Sequence, residues 1–253
     1  MIGFSEGFHD AAVAVVNDGK ICYATHSERY SKIKHDKHLD ITAASTAQLL
    51  CHDGKIAFYE RPWLKRTRQL FAGQKAWYRP RHLSLKPTQY YSHHKSHAAA
   101  AFQTSPFDEA AIVVVDSIGE WDTTSIWTAE YKDGKAVYKK RWSQWYPQSI
   151  GLWYSALTKW AGLRPLDEEY IFMGMAAFGN PVNMNVVERQ LHKNNHKGAR
   201  LGDYDKCDIA KSAERILQLE LNNIFAKASQ YSKHICYGGG VALNCVVNTG
   251  LRE

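Results

Sequence analysis

The spacing of apolar and polar positions changes several times along the chain, and each change marks an element. The first forty residues read as a β-meander. Ile2–Ser5 gives a short strand and Ala11–Val16 a second. Asn17-Asp18-Gly19-Lys20 carries Asp-Gly turn chemistry, and Ile21–Ala24 gives a third strand. Gly7-Phe8-His9-Asp10 joins the first two strands, and a glycine-containing turn of this kind can approach a ligand closely. His9 also reads as an ordinary turn residue in solvent. Ser27–His38 is dense in charge and reads as a solvated loop. A helix follows, with Asp40 or Thr42 as cap and Ala43, Ala44, Ala47, Leu49 and Leu50 as apolar positions. Lys55–Glu60 returns to a strand pattern.

Residues 61–91 hold eight Arg or Lys and no acid, with Trp63, Phe71, Trp77, Tyr78, Tyr90 and Tyr91 interleaved. Basic residues mixed with aromatics are the composition of a single-strand nucleic-acid surface. No nucleic-acid motif of defined spacing accompanies them. The preferred expectation is an insertion that packs its aromatics on the core and leaves its charges in water.

The next stretch, Ser92–Phe102, reads as a helix. His93 and His97 are four residues apart, hence on one face, and the alanine run behind them is strongly helix-forming. A strand-like run, Ala110–Val115, follows and ends in Asp116. Alone, a His-x-x-x-His pair is most simply two ordinary helix residues. With a carboxylate at the neighbouring strand end it becomes a candidate three-ligand metal site of His93, His97 and Asp116.

Residues 123–131 and 136–142 pattern as paired strands around Lys132-Asp133-Gly134-Lys135. Meander, helix and strand in the first half are thus followed by strand, turn and hairpin, which hints at an internally duplicated α/β fold of halves 1–108 and 109–253. Residues 149–162 read as a helix, Met173–Pro181 ends in turn signals, and the polar 182–209 reads as a loop or excursion. Residues 211–231 form a long amphipathic helix with Ala213, Ile216, Leu217, Leu221, Ile224 and Phe225 on one face. His234–Tyr237 then runs as a strand into Gly238-Gly239-Gly240 and Val241–Asn244. Strand, glycines and helix start can present backbone N–H groups to phosphate. The chain stops at Glu253, in what reads as the middle of that helix, so the second half is expected to be truncated.

A hydrophobic share of 45% is enough for a real core. A formal charge of +7 suits anionic small molecules, nucleotides or nucleic acid and selects none of them. Five scattered cysteines lack any C-x-x-C spacing and read as reduced thiols in a cytoplasmic protein. The N-terminus has no signal-peptide pattern, and no run approaches the ~20 apolar residues that span a bilayer.

Taken together, these stretches resemble the carbamoyltransferases that decorate nodulation factors and antibiotics, relatives of the tRNA threonylcarbamoyl-transfer enzymes. His9-Asp10-Ala11 resembles the family's Gly-His-Asp-Ala segment, Glu28-Arg29-Tyr30 through Lys34-His35 its Glu-Arg-Phe…Lys-His segment, and Tyr59-Glu60-Arg61-Pro62 its Tyr-Glu-Lys-Pro. The last match makes the basic stretch after it a family feature and weakens the nucleic-acid reading. His93-His94-Lys95-Ser96-His97-Ala98 matches His-His-x-x-His-Ala, and Asp116 with Gly119-Glu120-Trp121 is similar to Asp-Gly-x-Gly-Glu. Met173-Gly174 with Ala176 and Gly179 resembles Met-Gly-Leu-Ala-Pro-Tyr-Gly, and Gly239–Cys245 reads Gly-Gly-Val-Ala-Leu-Asn-Cys as in the family. The chain departs from the pattern at His26-Ser27, Ser117, Ile171 and Ala177, which points to an altered substrate pocket.

The resemblance implies an actin, sugar-kinase and heat-shock-ATPase type of fold, incomplete at its C-terminus. It implies iron (Fe2+) or another divalent metal on His93, His97 and Asp116. Gly238, Gly239, Gly240 and Asn244 would lie along carbamoyl-adenylate, with His9 and Lys34 near the carbamoyl group. The expected activity is O-carbamoyl transfer from carbamoyl-adenylate, made from carbamoyl phosphate and ATP, to a small-molecule hydroxyl acceptor. The family's further aspartate ligand and its adenylate-forming second domain fall beyond Glu253, so either a partner chain would supply them or the chain is truncated. The alternatives are an inactive nucleotide-binding relic or subunit, and a nucleic-acid-binding protein using residues 61–91.

Overall fold

The architecture comes from a computed structural model, which describes residues 1–51, 53–74, 83–191, 193 and 195–251. It forms two compact units, Met1–Ser96 and His97–Glu253. The division lies within one continuous helix, where the sequence pattern places the border of the halves after residue 108.

The first unit is built on a five-stranded sheet in the order β3-β2-β1-β4-β5. β1 (Ile2–Ser5), β2 (Ala12–Asn17) and β3 (Lys20–His26) form the expected antiparallel meander. Its tight turn needs two residues at positive φ, which Asp18 at 49° and Gly19 at 76° supply. Ile2 pairs with Val15 and Phe4 with Val13, so four buried apolar side chains share one face. β4 (Ile56–Phe58) adds parallel to β1, and β5 (Gln89–Tyr90) parallel to β4.

The expected solvated loop at Ser27–His38 in fact opens with a short helix, α1 (Glu28–Ser31). Ser27 before it is fully buried, because its hydroxyl accepts the Asp40 N–H at 2.9 Å. α2 (Ile41–Leu50) starts at Asp40, whose carboxylate accepts from the Thr42 and Ala43 N–H groups. Ala43, Ala44 and Ala47 are buried, but Leu49 is 85% exposed. At 3.6 residues per turn Leu49 lies roughly 200° from Ala47, on the opposite face.

α3 (Pro62–Phe71) departs in part from the expectation for the basic stretch. Arg61, Arg66 and Lys86 are exposed and Tyr90 packs against the core, as expected, but Lys65 and Arg68 are buried and Trp63 and Phe71 are more than half exposed. Buried Glu60 accounts for Lys65, whose ammonium it receives at 2.9 and 3.2 Å. Lys75, Trp77, Tyr78, Arg79 and Arg81 lie outside the described residues.

α4 (His93–Gln103) leads into the second unit, whose four-stranded sheet has the order β8-β7-β6-β9. β6 (Glu109–Val115), β7 (Asp122–Lys132) and β8 (Lys135–Trp145) are antiparallel, and β9 (Ile235–Gly238) pairs parallel with β6. Ala110 through Val115 are all buried because both sheet faces are covered. Ala111, Val113 and Val115 join a core with α5 (Ile150–Trp160) and α8 (Lys206–Ala228). Ala110, Ile112 and Val114 pack with Ala98 and Phe102 of α4. In each unit a central strand has a hairpin partner on one side and a later, parallel strand on the other, so β3-β2-β1-β4 and β8-β7-β6-β9 share one order and sense.

α6 (Glu169–Met175) follows α5. The polar segment 182–209 is not a plain loop, because it holds α7 (Met184–Leu191) and the start of α8. Val187 and Leu191, four apart, bury one stripe of α7, and Asp205 caps α8 through the Cys207 and Asp208 N–H groups. After the glycines a short 3-10 turn, Gly240–Leu243, precedes α9 (Cys245–Thr249), which closes at Gly250. All five cysteines are free, and no helix among the described residues is long and apolar enough to cross a membrane.

Candidate metal centre

α4 and β6 position the three candidate ligands. The buried Ala98 and Phe102 fix one side of α4 against β6. The helical spacing then sets His93 and His97 on a common face, one turn apart. β6 ends at Val115, and the Asp116 N–H donates to Thr123 O at 2.9 Å, which holds the strand end in register with β7. One donor atom from each of His93, His97 and Asp116 lies within 4.8 Å of the others, and all three residues are partly buried.

His97 Nε2 is 3.5 Å from Asp116 Oδ2. The other carboxylate oxygen, Oδ1, accepts from the Ser117 N–H at 2.8 Å and the Gly240 N–H at 3.3 Å. The backbone thus orients the carboxylate and turns one oxygen toward the imidazole, as hydrogen bonds to a metal-ligating carboxylate commonly do. Two imidazoles and one carboxylate suit a first-row divalent cation with coordination positions left over. Tetrahedral donors around such a cation stand about 3.4 Å apart at a bond length of about 2.1 Å, so closing the set takes a contraction of up to about 1.4 Å.

The glycines after β9 belong to this frame. Gly239 has φ 96°, and a Cβ there would stand 2.2 Å from Val115 O. The loop therefore lies directly on the end of β6, and that contact lets the Gly240 N–H reach Asp116. Asn244 caps α9, its side-chain oxygen accepting from the Val247 N–H at 3.1 Å. Burial raises the pKa of the neighbouring Tyr154 hydroxyl, with a hydrogen bond from Asn244 acting the other way. Packing and capping thus account for Gly239 and Asn244 without a ligand.

His9 lies in the first unit, in the turn between β1 and β2. Its Nδ1 is 2.7 Å from Asp10 Oδ2, and His35 Nδ1 is 3.0 Å from Asp10 Oδ1. Partial burial works against the Asp10 charge, but hydrogen bonds from His35 and His9 outweigh it and hold the carboxyl below its usual range. Lys34, the neighbour of His35, is exposed. His9 and His35 are thus joined through a carboxylate, which sequence spacing alone does not reveal.

Sequence reasoning also missed Glu60. It is 2% exposed, and its Oε2 lies 4.0 Å from His93 Nδ1. Its sequence signals are its place in the family-like Tyr59-Glu60-Arg61-Pro62 segment and its position as the last acid before the acid-free stretch.

Comparison with known proteins agrees with the resemblance. A family model described as carbamoyltransferase N-terminus matches residues 43–206. An uncharacterised protein of Synechocystis sp., sll1178, is 29% identical over 98% of this chain and 51% of its own length. The nodulation protein NolNO of Sinorhizobium fredii is 23% identical over 95% of this chain and 42% of its own. The chain therefore spans about half the length of the curated relatives it matches. The solved structure of the ethanolamine utilization protein EutJ from Carboxydothermus hydrogenoformans aligns over 98% of this chain and 79% of that one, at 12% identity and a TM-score of 0.42, a likeness too slight to assign a fold.

Proposed function

This chain belongs to the carbamoyltransferase family, and from that premise we propose that it is the transfer half of an O-carbamoyltransferase. It would move a carbamoyl group from carbamoyl-adenylate to the hydroxyl of a small-molecule acceptor. The observation that carries the proposal is the convergence of His93, His97 and Asp116 in a chain of this family. These residues would hold a divalent cation, Fe2+ by the family resemblance, which would supply Lewis-acid polarisation of a carbonyl or phosphoryl oxygen.

The chain's own residues do the rest. His93, His97 and Asp116 fix the cation's place on α4 and the end of β6. The loop at Gly238, Gly239 and Gly240 with Asn244 lies along the adenylate. His9 accepts the acceptor hydroxyl's proton at Nε2, because Asp10 holds its Nδ1. Lys34 offsets negative charge as it develops on the carbamoyl oxygen. Forming the adenylate from carbamoyl phosphate and ATP would fall to the second domain that the family resemblance implies. The shared strand order of the two units favours a duplicated fold of the actin and sugar-kinase type.

Supplying the metal-loaded chain with preformed carbamoyl-adenylate tests the proposal. It predicts carbamoyl transfer to hydroxyl acceptors or water, reduced about 100-fold by His9→Ala through kcat. Turnover unchanged by His9→Ala removes that residue from the mechanism. A wild-type chain that leaves the adenylate intact is a binding relic.

A further inference from the structure

We infer that Glu60 is a positioning residue for His93, a carboxylate behind the metal ligand that fixes which ring nitrogen faces the cation. The inference rests on the proposed metal reading of His93, His97 and Asp116.

The exit of β4 is tied to the first turn of α4 at three points. Ser96 Oγ donates to Tyr59 O at 2.8 Å. The Tyr59 ring meets the His93 ring edge-on, with centroids 5.4 Å apart. Glu60 Oε2 lies 4.0 Å from His93 Nδ1, within ion-pair range. A carboxylate beside Nδ1 draws the ring proton to that nitrogen and leaves the Nε2 lone pair for a cation. At 4.0 Å the two groups are in electrostatic contact and not hydrogen-bonded; a small side-chain rotation would bring them to the carboxylate–histidine–metal arrangement that tunes ligand basicity and orientation.

The energetics point the same way. Glu60 is 2% exposed and Lys65 is buried against it. A buried ion pair recovers little more than its own desolvation cost, and an apolar pair of similar volume is often as stable. Stability alone is therefore a weak reason for a carboxylate here. Lys65 makes the buried carboxylate tolerable, and the carboxylate faces a histidine that shares a helix face with a second histidine.

The test uses the full 253-residue chain, Co2+ as the probe, and the His93 ring nitrogen NMR signals of the metal-free protein. The wild type is expected to carry the His93 proton on Nδ1 and to bind Co2+ with a tetrahedral or five-coordinate visible spectrum. Glu60→Gln is expected to shift the proton toward Nε2 and to weaken Co2+ binding about 10- to 100-fold. The double variant Glu60→Gln/Lys65→Met, which removes both charges of that pair, is expected to do the same and serves if the single variant does not fold. A folded variant with the wild-type tautomer and a Co2+ Kd within twofold of wild type overturns the inference alone. A wild-type chain that binds no Co2+ overturns the metal reading itself and the inference with it.

Discussion

Two clusters in this protein use the same residue types, a carboxylate and two histidines, and arrange them to different ends. In His9-Asp10-His35 each carboxylate oxygen is engaged by an imidazole nitrogen, at 2.7 and 3.0 Å. In His93-His97-Asp116 one oxygen is taken by the Ser117 and Gly240 N–H groups, and the other faces His97. The first arrangement spends the carboxylate on the histidines and suits proton work. The second spends half of it on the backbone and leaves donors converging on a point. Their settings differ as well. Asp10 lies in a turn at φ 47° and its side chain is 45% exposed, whereas Asp116 ends a buried strand and is 15% exposed.

The largest test of this contrast is the frame behind Asp116. Gly239→Ala forces a Cβ toward Val115 O at a positive φ. It should destabilise the protein by about 3 kcal/mol, the upper end for a strained backbone site. Thermal or denaturant unfolding measures this, and a variant as stable as wild type would show that the loop does not lie on β6 as described.

Smaller effects belong to the exposed cluster. Asp10→Asn should cost about 0.5 kcal/mol at neutral pH, the scale of an exposed ion pair. Because the folded-state pKa of Asp10 is depressed, by hydrogen bonds from His35 and His9 that outweigh partial burial, its contribution exists above the unfolded-state value. That contribution is lost as pH falls through the depressed folded value. Wild type and Asp10→Asn should therefore differ in denaturation midpoint at pH 7 and converge in acid. A gap that persists below the folded-state pKa would assign the effect to something other than the carboxylate charge.

How much of this was legible in the sequence follows from range. The meander, the Asp18-Gly19 turn, the Asp40 cap and the α4–β6 pair are set by residues a few positions apart, and each stands where the pattern places it. α3 was misread because the partner that draws Lys65 inward, Glu60, sits five residues back across the helix start. α7 was missed because its buried apolar stripe, Val187 and Leu191, is short and four of its eight positions are polar. Asp116 was legible as a ligand candidate from its place at a strand end. The Gly240 N–H that holds its Oδ1 is 124 residues away, and only the pairing of β6 with β9 brings it there.

The central claim is that His93, His97 and Asp116 hold a divalent cation. It is tested most directly by the metal content of the chain purified without oxygen and reloaded with Fe2+, beside its His97→Ala variant. The account predicts close to one tightly held equivalent per wild-type chain and a loss of at least ~100-fold in affinity in the variant, since removing a ligand should exceed the roughly 10- to 100-fold cost of removing a ligand's hydrogen-bonding partner. No bound metal in the wild type, or equal binding by His97→Ala, would contradict it.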